Sequence, residues 1–587
     1  MTAIYFHTEA YSIQTSRLMG RHAAGHGFLR AWLKYCSQAR YQALVADRSQ
    51  AEAFRATVKA LGAEKSSDLF DWYAADALQQ AGALFFPGPG IGDYAWYRRA
   101  MRFKSDRVFE SSRGFSLVGI THTTASAGAM DQVCQLLSTP VEPWDAVICS
   151  SEAVKQTVRI VIEQQADYLA QRLGAQRFTL PQLPVIPLGV HPEDFEFTND
   201  QRREARQGLI ASVDPSGSKH WTIVLFTGRL SFHAKAHPLA MYQALESAYR
   251  RVKESASSPT LDHAIMLVEC GWHANEYIEK AFDEAASWAM PHVAVVQLDG
   301  RDPAMRERAW ASADVFCSLS DNIQETFGIT PIEAMAASLP VVVSDWNGYK
   351  DTVRDGVDGF RIKTLMPQSG AGRDLALRHA VGLDSYDMYC GYSSQSVALD
   401  VQSAAEAICR LALDSSLRQQ MGKAGRARVL QHFSWKTIIE QYEALFKSLR
   451  LERAHYPRWP ESGASSVPAH PWPARLDPFC GFSHYASLHL REDTLLSTDH
   501  SPSTCVEALR QCQALQMVSF AKAGLPSQAV IEALFSTIAQ SNDGIYVNDL
   551  IDRTAVLAQD LPDASWQRAI VWMIKMDLVR FPSMPRD

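Results

Sequence analysis

Solid runs of apolar residues, separated by stretches of helical periodicity, fill most of the first 450 positions. In the first half they are Thr2 to Phe6, Tyr41 to Asp47, Ala83 to Pro87, Ser116 to His122, Ala146 to Ser151 and Pro184 to Val190. Most do not alternate polar with apolar, which suits strands covered by helices on both faces. The polar stretch from Thr198 to Lys219 reads as a linker, and then the pattern restarts. Trp221 to Arg229, His263 to Cys270, Val293 to Gly300, Asp314 to Ser320 and Leu339 to Asp345 follow. Two such series predict an α/β chain of two Rossmann-like domains, residues 1–200 and 201–433, facing a central cleft. Ligands are expected in that cleft, beyond the carboxyl ends of the strands.

After residue 433 the pattern changes. One helix is predicted over 434–450, packing back toward the first domain. Residues 451–478, rich in Pro, Ser, Trp and Ala, read as a linker. Residues 479–587 read as a mainly helical accessory domain, with apolar stripes at helical spacing and Pro526 suited to a first turn.

Composition narrows the class without identifying a chemistry. The chain has 587 residues, 47% of them apolar and 21% charged, with a formal net charge of −7. That length suits three folded units, and the mild negative charge gives no general attraction to nucleic acid. The start, MTAIYFHTEAYS, lacks a basic segment followed by an apolar one, so no secretory signal is expected. The expected compartment is the cytoplasm, with peripheral membrane association left open. The ten cysteines form no CxxC pair and read as free thiols.

The densest chemical signal is SDNIQETFGITPIEAMAASLPVVVSDWNGYKDTVRDGVDGF, Ser320 to Phe360. Glu325 and Glu333 stand with seven residues between them, Phe327 and Gly328 among these, and a helix is expected to begin near Thr330. Thr330-Pro331-Ile332-Glu333 has the form of a capping box, which would give Glu333 a purely local role. The alternative is that Gly328 allows close backbone approach, the helix start offers unpaired N–H groups to an anion, and a carboxylate there holds sugar hydroxyls. A second signal is TGRLSFHAKAH, where Gly228 and Arg229 end a buried strand and Lys235 follows. Two cations beyond a strand end can stabilise the charge that grows on a departing diphosphate; singly, each is more often a solvated surface group.

Together these motifs resemble the retaining glycosyltransferases of family four, which have the GT-B fold. Their E-x7-E signature corresponds to Glu325 and Glu333, and their Arg/Lys pair to Arg229 and Lys235. The likeness covers roughly residues 1 to 450 and extends to VIPLGVHPEDF and to SLVGITHT, which resembles the strand ending in the family's active-site histidine, here His122. The resemblance implies that Arg229 and Lys235 bind the diphosphate and Glu333 the ribose. Glu325 would hold hydroxyls of the transferred sugar, and His122 would sit beside the anomeric centre. Gly228, Phe327, Gly328, Ile329 and Thr330 would line the donor site. Gly20, Gly25 and Gly27 fall where the family has a glycine-rich loop, although a helix entry that tolerates glycine explains them equally well.

The implied reaction moves a hexose from a UDP- or GDP-linked donor to a hydroxyl acceptor with retention, the leaving phosphate deprotonating the acceptor on the same face. No Asp-x-Asp follows a strand, so no metal and no further cofactor are expected. The acceptor, whether glycan, lipid-linked, protein or small molecule, stays open. So does the role of the helical tail in homodimerisation or protein docking. The alternative is a catalytically inactive GT-B scaffold that binds partners through that tail, against which the intact motif pairs speak. GPGIGD (Gly88 to Asp93) reads as a turn and not a dinucleotide loop, and YAWYRRAMRFKSDR (Tyr94 to Arg107) as a solvated amphipathic helix or an acceptor contact.

Overall fold

The structure is a computed structural model of the chain, described for residues 1–12, 20–101, 114–255, 262–456, 472–558 and 564–581. It divides into two compact units, one carrying both sheets and the other running from Pro468 to Asp587.

The first sheet has the strand order β3-β2-β1-β4-β5-β6, all parallel. Its strands are β1 (Thr2–Phe6), β2 (Tyr41–Val45), β3 (Ser67–Phe70), β4 (Ala83–Phe85), β5 (Ser116–Ile120) and β6 (Ala146–Ile148). The second sheet repeats that order as β12-β11-β10-β7-β8-β9. It comprises β7 (Lys219–Leu230), β8 (Asp262–His273), β9 (Ala294–Asp299), β10 (Val315–Ser318), β11 (Val341–Ser344) and β12 (Gly359–Ile362). This is the doubly wound order whose strand reversal leaves a crevice at the carboxyl ends. The expected fold class, two Rossmann-like sheets with a helical C-terminal region, is present.

The central strands form where burial on both faces rewards β-branched and aliphatic residues. Every residue of β2, β5 and β11 is buried. The edge strands β3 (SDLF) and β12 (GFRI) escaped the sequence reading because an edge carries fewer apolar residues. Pro184 to Val190 was expected as a strand and is not one. It makes only isolated bridges, Cys149 with Val185 and Val190 with Ser434, because prolines at 184 and 187 remove the donors a ladder needs. The supposed linker Thr198 to Lys219 is largely a helix, Asn199–Val213. A capping box between Thr198 and Gln201 starts it, and one buried leucine, Leu209, anchors it.

Six helices matter below: α1 (Gly20–Tyr35), α2 (Glu152–Leu173), α3 (Ile329–Ala336), α4 (Arg373–Ala380), α5 (Tyr386–Ser394) and α6 (Trp435–His455). Helix α6 lies against the first sheet domain. Its buried Trp435 meets α1 edge to face through Phe28, at a ring distance of 6.1 Å. Arg453 donates to Ser116 Oγ at 2.9 Å, and Glu443 accepts from Ser37 Oγ at 2.8 Å.

The second unit has its own core, including Leu509, Leu534, Phe535, Ile570 and Met573, and an antiparallel ribbon of β15 (Leu495–Leu496) and β16 (Ile545–Tyr546). Pro526 precedes the N-cap Ser527 and so lies just outside the helix Gln528–Ala539, not in its first turn. Most of the expected linker, residues 457–471, and the stretch 102–107 of the aromatic and basic segment lie outside the described residues.

Candidate active site

Strand β7 ends in Thr-Gly-Arg, and the loop that follows carries Lys235 back over the strand end. Gly228 lies directly beneath it: a Cβ there would come within 3.8 Å of Lys235 Cε. From β10, one element away, the chain enters Ser320 to Gly328, which carries Glu325. Lys235 Nζ donates to Glu325 Oε2 at 2.6 Å, joining motifs ninety residues apart. Glu325 is almost wholly buried (7% exposed) and Lys235 reaches solvent along its side (25%). A charge pair of this kind holds geometry more than it stabilises, since desolvation cancels much of its attraction. Arg229 donates to the carbonyl of Ala234 at 2.7 Å and lines a small, partly open pocket with His237 and Glu269.

Helix α3 begins at Ile329 with Gly328 as N-cap and no side-chain cap, so the Thr330 capping box does not form. Gly328 adopts φ +78°, which turns the chain early and takes Thr330 into the first turn. Glu333 is thereby freed from a capping role. It is half-buried, and burial pushes its carboxyl up to about 7, with Arg306 and Lys235 pulling the other way. The nearby Asp321 is also pushed up to about 7 by burial, although it accepts the His237 backbone N–H at 3.1 Å. Phe327 is a core residue whose buried ring packs near Phe433.

The first sheet domain reaches the same loop through residues the sequence did not single out. The Thr326 hydroxyl donates to the carbonyl of His122 at 3.2 Å, setting the end of β5 against the Glu325 segment. Ser151 caps α2 and donates to the Thr326 carbonyl at 2.8 Å, while Glu152 N–H donates to Asp351 at 2.7 Å. Asn347 Nδ2 donates to the carbonyl of Glu325 at 2.6 Å from a left-handed conformation, φ +42°. Only Asn-Gly at 347 and 348 was a usable sequence signal, since asparagine tolerates that conformation. Replacing Asn347 with Ala leaves the Glu325 carbonyl short of a donor, a loss of about 1–3 kcal/mol. The melting temperature should fall by several degrees. An unchanged melting temperature in a purified N347A protein would mean that this hydrogen bond does not hold the Glu325 segment.

The glycines expected in a loop ahead of a helix are helical in the described residues, and residues 13–19 before them lie outside those. Gly20, Gly25 and Gly27 all lie inside α1. A Cβ on Gly25 would sit 2.0 Å from the Ala10 carbonyl oxygen, and one on Gly27 would sit 3.0 Å from Trp435 Nε1. Gly25 and Gly27 are there for close packing of helix against chain. Gly88 to Ile91 forms the turn ahead of the helix Gly92–Met101, whose first turn takes in Gly92 and Asp93. Among the described residues no cluster of three or more His, Cys, Asp or Glu could hold a metal ion, and no helix is long and apolar enough to cross a membrane.

Residues 220–371 match the family model of glycosyl transferases group 1, a transferase family, and the stretch includes both motifs. The chain is 30% identical over 139 residues to alpha-maltose-1-phosphate synthase of Mycobacterium tuberculosis, covering 24% of this chain and 28% of that protein. It is 25% identical over 342 residues to D-inositol 3-phosphate glycosyltransferase of Geodermatophilus obscurus, covering 57% of this chain and 63% of that one. It thus spans less than two thirds of the length of either. Among solved structures, that of Anabaena Alr3699/HepE in complex with UDP covers 76% of this chain and all of its own, at 15% identity and a TM-score of 0.45.

Proposed function

We propose, taking the glycosyltransferase match of residues 220–371 as premise, that the chain transfers a hexose from a UDP- or GDP-linked donor to a hydroxyl acceptor, with retention and without a metal. The observation that carries this reading is the Lys235–Glu325 pair beside the amino end of α3. When a donor enters, its diphosphate takes Lys235, and Glu325 is released to accept hydroxyls of the sugar. Arg229, displaced from the Ala234 carbonyl, joins Lys235, and the unpaired N–H groups of α3 complete the cradle for the growing negative charge. Glu333 accepts from the ribose. The leaving phosphate oxygen takes the acceptor proton on the face it vacates, so the new bond keeps the anomeric configuration.

The test is incubation with UDP- and GDP-hexoses in the presence of EDTA, with nucleoside diphosphate release and the anomer of the product read by NMR. Release that needs a divalent ion, or an inverted product, defeats the corresponding part of the proposal. Affinity for the nucleotide should depend on pH. Glu333 loses its proton as pH rises through about 7, and only the ionised carboxylate accepts from both ribose hydroxyls. Binding of UDP or GDP measured by calorimetry should therefore strengthen from pH 6 to pH 8 in the wild type and much less in Glu333→Gln. Equal slopes in the two proteins would exclude Glu333 from the ribose.

A further inference from the structure

At the end of the matched segment, the chain leaves the second sheet domain and returns through a narrow ribbon. Strand β13 (Thr364–Leu365) pairs antiparallel with β14 (Ala398–Leu399), Leu365 opposite Ala398. Between them lie α4 and α5, and Arg378 ties the end of α4 to the turn by hydrogen bonds to Asp384 at 2.7 and 2.8 Å. Helix α4 buries none of its residues, while α5 buries Cys390, Gly391 and Ser394. The excursion joins two places. Toward one end of α5, Gly391 packs on the loop after β7 that carries Lys235, so closely that a Cβ would lie 2.8 Å from His233 Cβ. At the other end, the Tyr386 hydroxyl lies 3.3 Å from Thr123 Oγ1, on the residue after His122 in the first sheet domain. One short helix thus rests on the cation loop and touches the opposite domain beside the end of β5.

We propose that α5 closes the acceptor side of the cleft, and that Tyr386 and Thr123 are positioning residues that favour an acceptor hydroxyl over water. The inference rests on the transferase reading given above. As the bond to phosphate weakens, the anomeric carbon accepts whichever hydroxyl is near, and water is always near unless the site excludes it. In that side reaction the bond from the anomeric carbon to the β-phosphate oxygen breaks and a bond to a water oxygen forms. The water proton goes to the departing diphosphate, leaving nucleoside diphosphate and free hexose. A hydroxyl pair across the cleft mouth, Tyr386 with Thr123, opposes that reaction by occupying the entry until an acceptor hydroxyl replaces it in the same hydrogen bonds.

The experiment measures diphosphate release from UDP-glucose and GDP-mannose with no acceptor present. It compares the wild type, Tyr386→Ala, Tyr386→Phe, and a chain in which residues 366–397 are replaced by an Asn-Gly turn joining β13 to β14. Thermal shift with UDP and GDP reports whether each variant is folded and binds nucleotide. With nucleotide binding retained, Tyr386→Ala and the excised chain should release diphosphate at least about fivefold faster than the wild type, with Tyr386→Phe in between. A structural role alone would lower release, not raise it. Unchanged or slower release in both Tyr386→Ala and the excised chain, where either binds nucleotide, overturns the gate. Absence of nucleotide binding and of release in the wild type overturns the transferase reading and the gate with it.

Discussion

Glu325→Gln will lower sugar transfer by about 100- to 1,000-fold, the scale lost when one preorganised electrostatic group is removed from a reacting centre. The change keeps the shape of the side chain, and the Thr326 N–H that faces Glu325 Oε1 at 3.3 Å can still be accepted by the amide oxygen. What disappears is the charge that holds Lys235 in place and that, in the proposed reaction, accepts sugar hydroxyls once a donor has entered. Since Lys235 is partly exposed, water can solvate it in the variant, and the melting temperature should move by only a few degrees. Lys235→Met is the harsher change, because it leaves the buried Glu325 carboxylate unpaired at a cost of about 3–5 kcal/mol. Steady-state kinetics on both variants and on the double variant form a cycle. If the two side chains work as one unit, the double variant is hardly worse than the poorer single one. Full activity in Glu325→Gln would end the assignment of Glu325.

Gly328→Ala will unfold or loosen the site by roughly 2–5 kcal/mol, from left-handed strain and overpacking together. A Cβ at Gly328 would lie 1.9 Å from Tyr349 Cε1, well inside contact distance, and φ is +78°. The Tyr349 ring cannot retreat freely. It is buried, and its hydroxyl lies 3.0 Å from Ser318 Oγ at the end of β10. The substitution therefore either displaces the ring or shifts the start of α3, and both move Glu325 and Glu333 relative to Lys235. Thermal unfolding should show the loss directly, and UDP binding should weaken with it. A variant as stable as the wild type would mean that this backbone does not need the left-handed turn.

The parallel central strands were legible because burial on both faces demands continuous apolar runs, and TIVLF, AIMLV and PVVV supply them. The edge strands β3 and β12 were not, since an edge asks for fewer apolar residues than its neighbours. The helix Asn199–Val213 was hidden by its polarity: it buries Leu209 alone, so its apolar stripe is too thin to see. At the site, the acidic and basic pairs were visible as motifs, because Glu-x7-Glu and an Arg/Lys pair after a strand are unusual spacings with a chemical use.

The sequence by itself determined the two α/β sheets and the helical character of the tail, and it marked Glu325, Glu333, Arg229 and Lys235 as motif positions. Those properties are local, set by periodicity within a strand or helix and by residue type within a motif. Tertiary structure alone decided that Lys235 meets Glu325, that Arg229 donates to the Ala234 carbonyl, and that Gly25 and Gly27 sit at close packing contacts. It also decided that Ser151, Asn347, Thr123 and Tyr386 belong at the same cleft. Each of these is a contact between residues far apart in the chain, fixed by how two sheets and an excursion come together, and no periodicity in one segment encodes where a distant segment will lie.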